Sequence, residues 1–177
     1  MACVLTTGRK VPCKSAVGGI KSVYFADFGT LGSATISSGE ITAFAGTPTW
    51  FEFDVKGNSS LETTVNSSRE NGTTFYTQTL NLTLTFLDKA TQEELKLLAH
   101  NRPHVAVEDY NGNFFLVGLE HGAEVTGGTI ATGAAMGDLS GMTLTFEGQE
   151  TAPAYFVVST VITDDASATQ IDPTPCP

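Results

Sequence analysis

The stretch Thr73–Phe86, TTFYTQTLNLTLTF, sets Tyr76, Leu80, Leu82, Leu84 and Phe86 on one side and Thr77, Thr79, Asn81, Thr83 and Thr85 on the other. A period of two is the signature of a β-strand, and apolar residues confined to one side mean that one face is dry and the other wet. At about 3.3 Å per residue such a strand spans roughly 45 Å, well beyond the usual strand of about 5 or 6 residues. It is expected to overhang its own core and to meet something outside its domain. The chain therefore reads as one piece of an assembly.

Working outward, 177 residues suit a single domain over 1–177 with one sizeable core. Thr and Gly are abundant and long helical patterns nearly absent, which predicts a mainly antiparallel β protein with one helix. Residues 1–20, broken by Gly8, Pro12 and Gly18-Gly19, read as an extended N-terminal arm. Lys21–Phe28 reads as a strand covered on both faces, and Ile36, Ile41 and Phe44 mark a weaker strand region around Ser37-Ser38-Gly39. Thr49–Lys56 reads as a further strand with Trp50 as a core anchor. Residues 57–72 are polar and predict a long loop or hairpin. Residues 164–177 form a polar, Pro-bearing C-terminal tail.

Beyond the long strand, Thr91 with Glu94 three residues later makes a capping box, and Leu95, Leu98 and Ala99 follow at helical spacing. Asn101 and Pro103 end that helix. Asn111-Gly112 between His104–Tyr110 and Asn113–Leu119 predicts a hairpin with a type I′ turn. Six glycines from Gly122 to Gly141 mark a pliant region where backbone bends or approaches another backbone. Met142, Leu144 and Phe146 then alternate against Thr143, Thr145 and Glu147, and Tyr155–Ile162 suggests a terminal strand.

Formal net charge is −10, which disfavours gripping nucleic acid through its phosphates. The charge is segregated. Arg9, Lys10, Lys14 and Lys21 all precede the first acid, Asp27, leaving five of the nine cations against all nineteen acids. A basic head on an acidic body is either a solvated arm or one that docks on the acidic body of a neighbouring identical subunit, because opposite patches steer and register association. The second reading makes these four cations candidate inter-subunit contacts. No apolar run has the length of a membrane helix or of a secretory leader. Cys3, Cys13 and Cys176 are odd in number and lack metal-ligand spacing, so no disulfide framework is expected, although a Cys3–Cys13 bridge stays open.

Chemistry finds little support. His100, His104 and His121 share no ligand motif, and His104 reads as an exposed strand position. Glu108 and Asp109 are adjacent and point to opposite faces of a strand, which makes them a poor acid–base pair. Residues 126–141 lack the Gly-Lys-Ser/Thr ending of a phosphate loop. The expectation is a protein that is not an enzyme and uses no cofactor or metal. A competing class is a carbohydrate-binding or adhesive β-sandwich with Trp50 and residues 58–71 as its ligand surface.

The order of these elements resembles the tail tube proteins of tailed bacteriophages and the related tubes of contractile secretion systems. The similar parts are FYTQTLNLTLTF, TQEELKLLAHNR, HVAVEDYNGNFFLVGLEHGAEVTGG and GDLSGMTLTFEGQETAP, together spanning Thr73–Pro153. Residues 1–72 are similar only in general character. The resemblance implies an antiparallel β-sandwich or barrel with one flanking helix, assembled as a hexameric ring whose sheets merge into an inner cylinder, the rings stacking into a virion tail assembled in the host cytoplasm. Its partners would be further copies of itself, other virion tail proteins, and DNA passing through without specific binding. Tail terminators, connectors and capsid decoration proteins are the alternatives within the same setting. In such a tube the long strand would pair with strands of neighbouring subunits. By the alternation, Thr77, Thr79, Thr83, Thr85, Thr143 and Thr145 would face the lumen, with Tyr76, Leu80, Leu82, Leu84, Met142, Leu144 and Phe146 facing the core.

Overall fold

The computed structural model describes residues 7–11, 13–55 and 58–163. They form two sheets packed as a sandwich. In chain order the strands are β1 (Ile20–Ala26), β2 (Ala34–Ser37), β3 (Glu40–Phe44), β4 (Phe51–Asp54), β5 (Ser60–Ser68) and β6 (Thr73–Thr85). After helix α1 (Lys89–His100) come β7 (His104–Asp109), β8 (Phe114–Val117), β9 (Glu124–Ala131), β10 (Gly141–Glu150), β11 (Tyr155–Val157) and a short helix α2 (Ser159–Thr163). One sheet has seven strands in the order β2-β3-β11-β8-β7-β1-β4; the other has four, β5-β6-β10-β9. Both are open, so the fold is a sandwich rather than a barrel. Among the described residues, no helix is long and apolar enough to cross a membrane.

Around β1, β7 and β8 the seven-stranded sheet is buried on both faces. Val23 and Phe25 of β1, with Val105 and Val107 of β7, point to the inter-sheet core and meet Leu80, Leu82, Leu84, Met142 and Phe146. Phe25 packs edge-on against Phe53 with ring centroids 5.2 Å apart and lies 5.3 Å from Phe146. Tyr24 and Ala106, one residue out of phase, point the other way into a second cluster with Leu31, Ile41, Trp50 and Leu116. β11 and α2 close this cluster through Val157 and Ile162. The absence of clean alternation in β1 is the direct result: both phases of the strand are apolar because both faces are covered.

β6 keeps its two-residue pattern, with Gln78, Leu80, Leu82 and Leu84 buried and Asn81 and Thr85 exposed. It ends one residue earlier than its pattern predicts. Phe86 adopts φ +76, so the backbone turns there and the ring is exposed rather than joining the core. β6 is also an interior strand. β10 pairs with it over Tyr76–Thr85 and β5 over Thr73–Asn81, so every residue of the strand has a partner in its own chain and Tyr76–Asn81 has one on each side. The expected pairing of this strand with a neighbouring subunit is thereby corrected: the strands with only one partner in this sheet are β5 and β9.

Several local expectations change for physical reasons. Of the two forms expected for residues 57–72, a loop or a hairpin, the hairpin is found over 58–72, with 60–68 a regular strand paired with β6. β9 occupies part of the pliant glycine region because Gly128 lets β9 lie close to β10: a Cβ there would meet Thr143 O at 2.5 Å. The helix is capped by Asp88, which accepts from the N–H groups of Ala90 and Thr91, and not by the Thr91 capping box. The Asn111-Gly112 turn is not type I′, because only Gly112 has positive φ. Asp109 organises it instead, its carboxylate accepting from the backbone N–H groups of Asn111 and Asn113, each at 2.8 Å. Burial raises the Asp109 pKa, but the side-chain amides of Asn111 and Asn113, which donate to its Oδ2, together with these two N–H groups outweigh it and hold the carboxyl below the usual range. The paired positive φ values of a type I′ turn occur at Ser38-Gly39 between β2 and β3. Tyr155–Ile162 splits into the three-residue β11 and α2.

Two polar side chains lie within the packing. Gln78, on the dry side of β6, accepts from Gly118 N–H at 3.0 Å and donates to Ala152 O at 3.2 Å. His104 is buried, which corrects its reading as an exposed position. Its Nε2 accepts from Gly29 N–H at 3.0 Å, which leaves Nδ1 to donate to Gly118 O at 2.6 Å. Burial lowers its pKa, because the charged form would be desolvated.

Candidate assembly surface

The outer face of the four-stranded sheet is built by register. Thr83 stands opposite Thr143, Asn81 opposite Thr145 and Ser60, Thr79 opposite Glu62 and Glu147, and Thr77 opposite Thr64 and Gln149. β9 adds Thr129 beside Thr143, their hydroxyl oxygens 2.7 Å apart. Thr145 donates to Asn81 Oδ1 at 3.0 Å, and Asn66 donates to Thr77 Oγ1 at 2.8 Å. All six threonines expected on one face, Thr77, Thr79, Thr83, Thr85, Thr143 and Thr145, are on this face and lie together. Thr85 is exposed and the other five are half-buried among neighbouring side chains. The result is a surface of hydroxyls, amides and carboxylates, and Arg102 is the last cation in the sequence, so β9 and β10 carry none.

The core-facing residues sort as the alternation requires. Leu80, Leu82, Leu84, Met142 and Phe146 are buried, with Leu144 packed against them. Tyr76 is only half-buried because the β5–β6 hairpin runs past the end of β10, whose last partner is Tyr76 itself. Val65 on β5 is 59% exposed for the same reason. Each edge strand has a single hydrogen-bonded neighbour, and α1 packs beside β9 through the core residue Leu95.

The four candidate contact cations divide. Arg9, Lys10 and Lys14 are exposed in a segment without strand or helix. Among the described residues, the first anchors of that segment to the body are at Val17, whose N–H donates to Asn111 Oδ1 at 2.9 Å and whose carbonyl accepts from Asn111 Nδ2 at 2.8 Å. Lys21 belongs to β1, and its Nζ lies 2.7 Å from Glu108 Oε1 of its own chain. That hydrogen bond, with the attraction of the Glu108 charge, raises the Lys21 pKa. Lys21 is thus removed from the docking set, and Glu108 is bound to a lysine rather than placed as an acid or base.

Trp50 is the core anchor expected of it. It is fully buried, so it offers no face to a sugar, and residues 58–71 are occupied by strand and turn. Its Nε1 has no hydrogen-bond partner among the described residues. The Cys3–Cys13 bridge and the 164–177 tail lie outside the described residues; Cys13 is exposed and has no disulfide partner among the described residues. Asp138 orders the turn between β9 and β10, accepting from the N–H groups of Ala135 and Ala134, and these bonds lower its pKa.

One grouping has no counterpart in the sequence pattern. Residues 118–122 bring Glu120 and His121 next to Glu150 at the end of β10, with ligand atoms of all three within 4.8 Å of one another. Roughly thirty residues separate the two parts, so no spacing rule reveals it. The one signal is Gly118 and Gly122, both at positive φ, which mark a tight turn. No protein-family model, curated protein or solved structure matches the chain.

Proposed function

We propose that the chain is a structural subunit of a virion tail tube, assembling with copies of itself into stacked rings whose lumen conducts DNA. The observation that carries this reading is the four-stranded sheet: one face packed, the other polar and free of lysine and arginine except at the Arg69 turn, and each edge strand with one partner only among the described residues. Strand directions alternate from β5 through β6 and β10 to β9. With an even number of strands, the β9 edge of one copy meets the β5 edge of the next antiparallel, and rotation continues a single sheet around a ring. A contact of two different edges is heterologous, the kind that closes rings. Pairing the edges also removes the unsatisfied N–H and C=O rows that otherwise invite aggregation.

A lumen of hydroxyls and carboxylates repels phosphates while keeping the polymer hydrated, so DNA slides rather than binds. Arg9, Lys10 and Lys14 supply the opposite charge that a ring of acidic subunits needs at its contacts. Other tail components of the same setting, such as terminators, connectors or decoration proteins, would use the sheet in a single ring or a trimer instead of a stack.

Negative-stain images of the concentrated protein test the reading. Stacked rings with a central hole are expected; a persistent monomer in every salt condition refutes it, and single unstacked rings favour a terminator. Val65→Lys, at an exposed edge position, should abolish rings while leaving the monomer's circular dichroism unchanged. Joint reversal of Arg9, Lys10 and Lys14 to Glu should suppress polymerisation with the same unchanged fold.

A further inference from the structure

We infer that Glu120, His121 and Glu150 form a binding site for a divalent transition-metal ion of the zinc type. Glu150 is the anchor. Its side chain is 4% exposed, yet it is a carboxylate at the end of a strand. Both hydrogen bonds to it fall on Oε1, from the backbone N–H groups of Glu120 at 3.0 Å and His121 at 2.9 Å. Oε2 has no hydrogen-bond partner among the described residues, and Glu150 lines an open cleft of about 630 Å³ that His121 also lines. A buried carboxylate with one oxygen fixed and the other open to a cleft is a ligand awaiting a cation, because desolvating an anion is costly without a compensating charge.

The loop that carries the other two ligands is held from below. Gly118 is gripped at its N–H by Gln78 and at its carbonyl by His104, and the Gly122 N–H returns to Gly118 O at 3.2 Å. A Cβ on Gly118 would meet the Gly122 carbonyl carbon at 2.4 Å, so only glycine permits the closure that sets Glu120 and His121 over Glu150. A tetrahedral ion with ligands at about 2.0–2.1 Å keeps its donors about 3.4 Å apart. The observed spread of up to 4.8 Å closes by rotation of the two exposed side chains, while Glu150 stays in place. One imidazole and two carboxylates suit zinc or a neighbouring transition metal rather than calcium or magnesium, which favour all-oxygen shells. Arg102, a cation lining the cleft, is held over the Phe28 ring at 4.0 Å. Three protein ligands leave a fourth position for water or for a ligand from outside the chain.

The inference is independent of the tube reading, since ring formation is scored without metal. Its test is calorimetric titration of the chelator-stripped full chain with zinc chloride, paired with the absorption spectrum of the cobalt form. One ion per chain is expected, with a raised unfolding midpoint. His121→Ala, an exposed change, and Glu150→Gln, which keeps an acceptor for the two N–H groups, should each weaken binding by at least about tenfold. Absence of saturable uptake overturns the site. So does uptake unchanged in His121→Ala, or a sulfur-to-cobalt charge-transfer band, which would place the ion on the cysteines.

Discussion

The two sheets of this molecule are built for opposite environments. The seven-stranded sheet is covered on both faces along β1, β7 and β8, and its interior strand β1 is apolar in both phases. The four-stranded sheet is covered on one face, and its inner strands β6 and β10 alternate between apolar and polar residues over Leu80–Thr85 and Met142–Glu147. The first sheet contributes side chains to both core clusters. The second shares the inter-sheet core but presents a polar plane and, among the described residues, two edges with one partner each, so its outer residues are held by neighbouring hydroxyls and amides rather than by a second packed layer. Packing thus constrains the two sheets unequally.

That division makes unequal demands on substitutions. The largest expected effect is at Trp50, whose replacement by Ala empties a fully buried site in the second core cluster and should cost about 3–5 kcal/mol, read from denaturant unfolding. Thr85→Ala, at an exposed position on the outer face of β6, should stay within about 0.5 kcal/mol. If the two cost the same, the contrast between the sheets is wrong.

An intermediate effect sharpens the picture within the thinner sheet. A Cβ at Gly141 would lie 2.2 Å from Leu84 O, so Gly141→Ala should destabilise by about 1–3 kcal/mol through forced separation of β6 and β10. A Cβ at Gly127 would meet nothing within 4 Å, and Gly127→Ala should be neutral or slightly stabilising in the same assay.

The smallest effect is a pH dependence seated in the thicker sheet. His104 is neutral in the fold, its Nε2 accepting a backbone N–H that a protonated ring would confront with a second donor. Its folded pKa is lowered, so the unfolded chain binds the proton more readily. The stability contributed by neutral His104 is present above the unfolded value of about 6.5 and is lost as pH falls through the lowered folded value. Unfolding midpoints measured downward from pH 7 should decline more steeply for the wild type than for His104→Gln, which cannot titrate.

Much of this was legible from residues alone, for one reason: period-two alternation reports one-sided burial, and β6 and β10 are buried on one side. The Thr face and the Leu face follow directly. What stayed hidden was set by contacts distant in sequence. Nothing in Lys21 announces Glu108, nothing in His104 announces Gly29 and Gly118, and Gln78 stands among leucines without any local mark of its two backbone partners. Strand neighbours were equally out of reach. A long strand with a dry face is compatible with an edge or an interior position, and only the hairpin partner formed by residues 60–68 made β6 interior. The Asn111-Gly112 turn failed as a type I′ prediction because a side chain two residues upstream, Asp109, satisfied the same backbone donors by another route.

The β5–β6 hairpin, projecting beyond β10 with Arg69 at its exposed turn, carries a practical consequence. Limited trypsin treatment should nick the chain after Arg69 while the nine-pair β5–β6 ladder keeps the two pieces together through gel filtration. The protein would then behave as a complementing pair of fragments, with the break lying outside the shared core. In a closed ring that same bond would be shielded wherever the projecting hairpins touch other subunits, so the speed of cutting becomes a ruler for how deeply each subunit is embedded among its fellows.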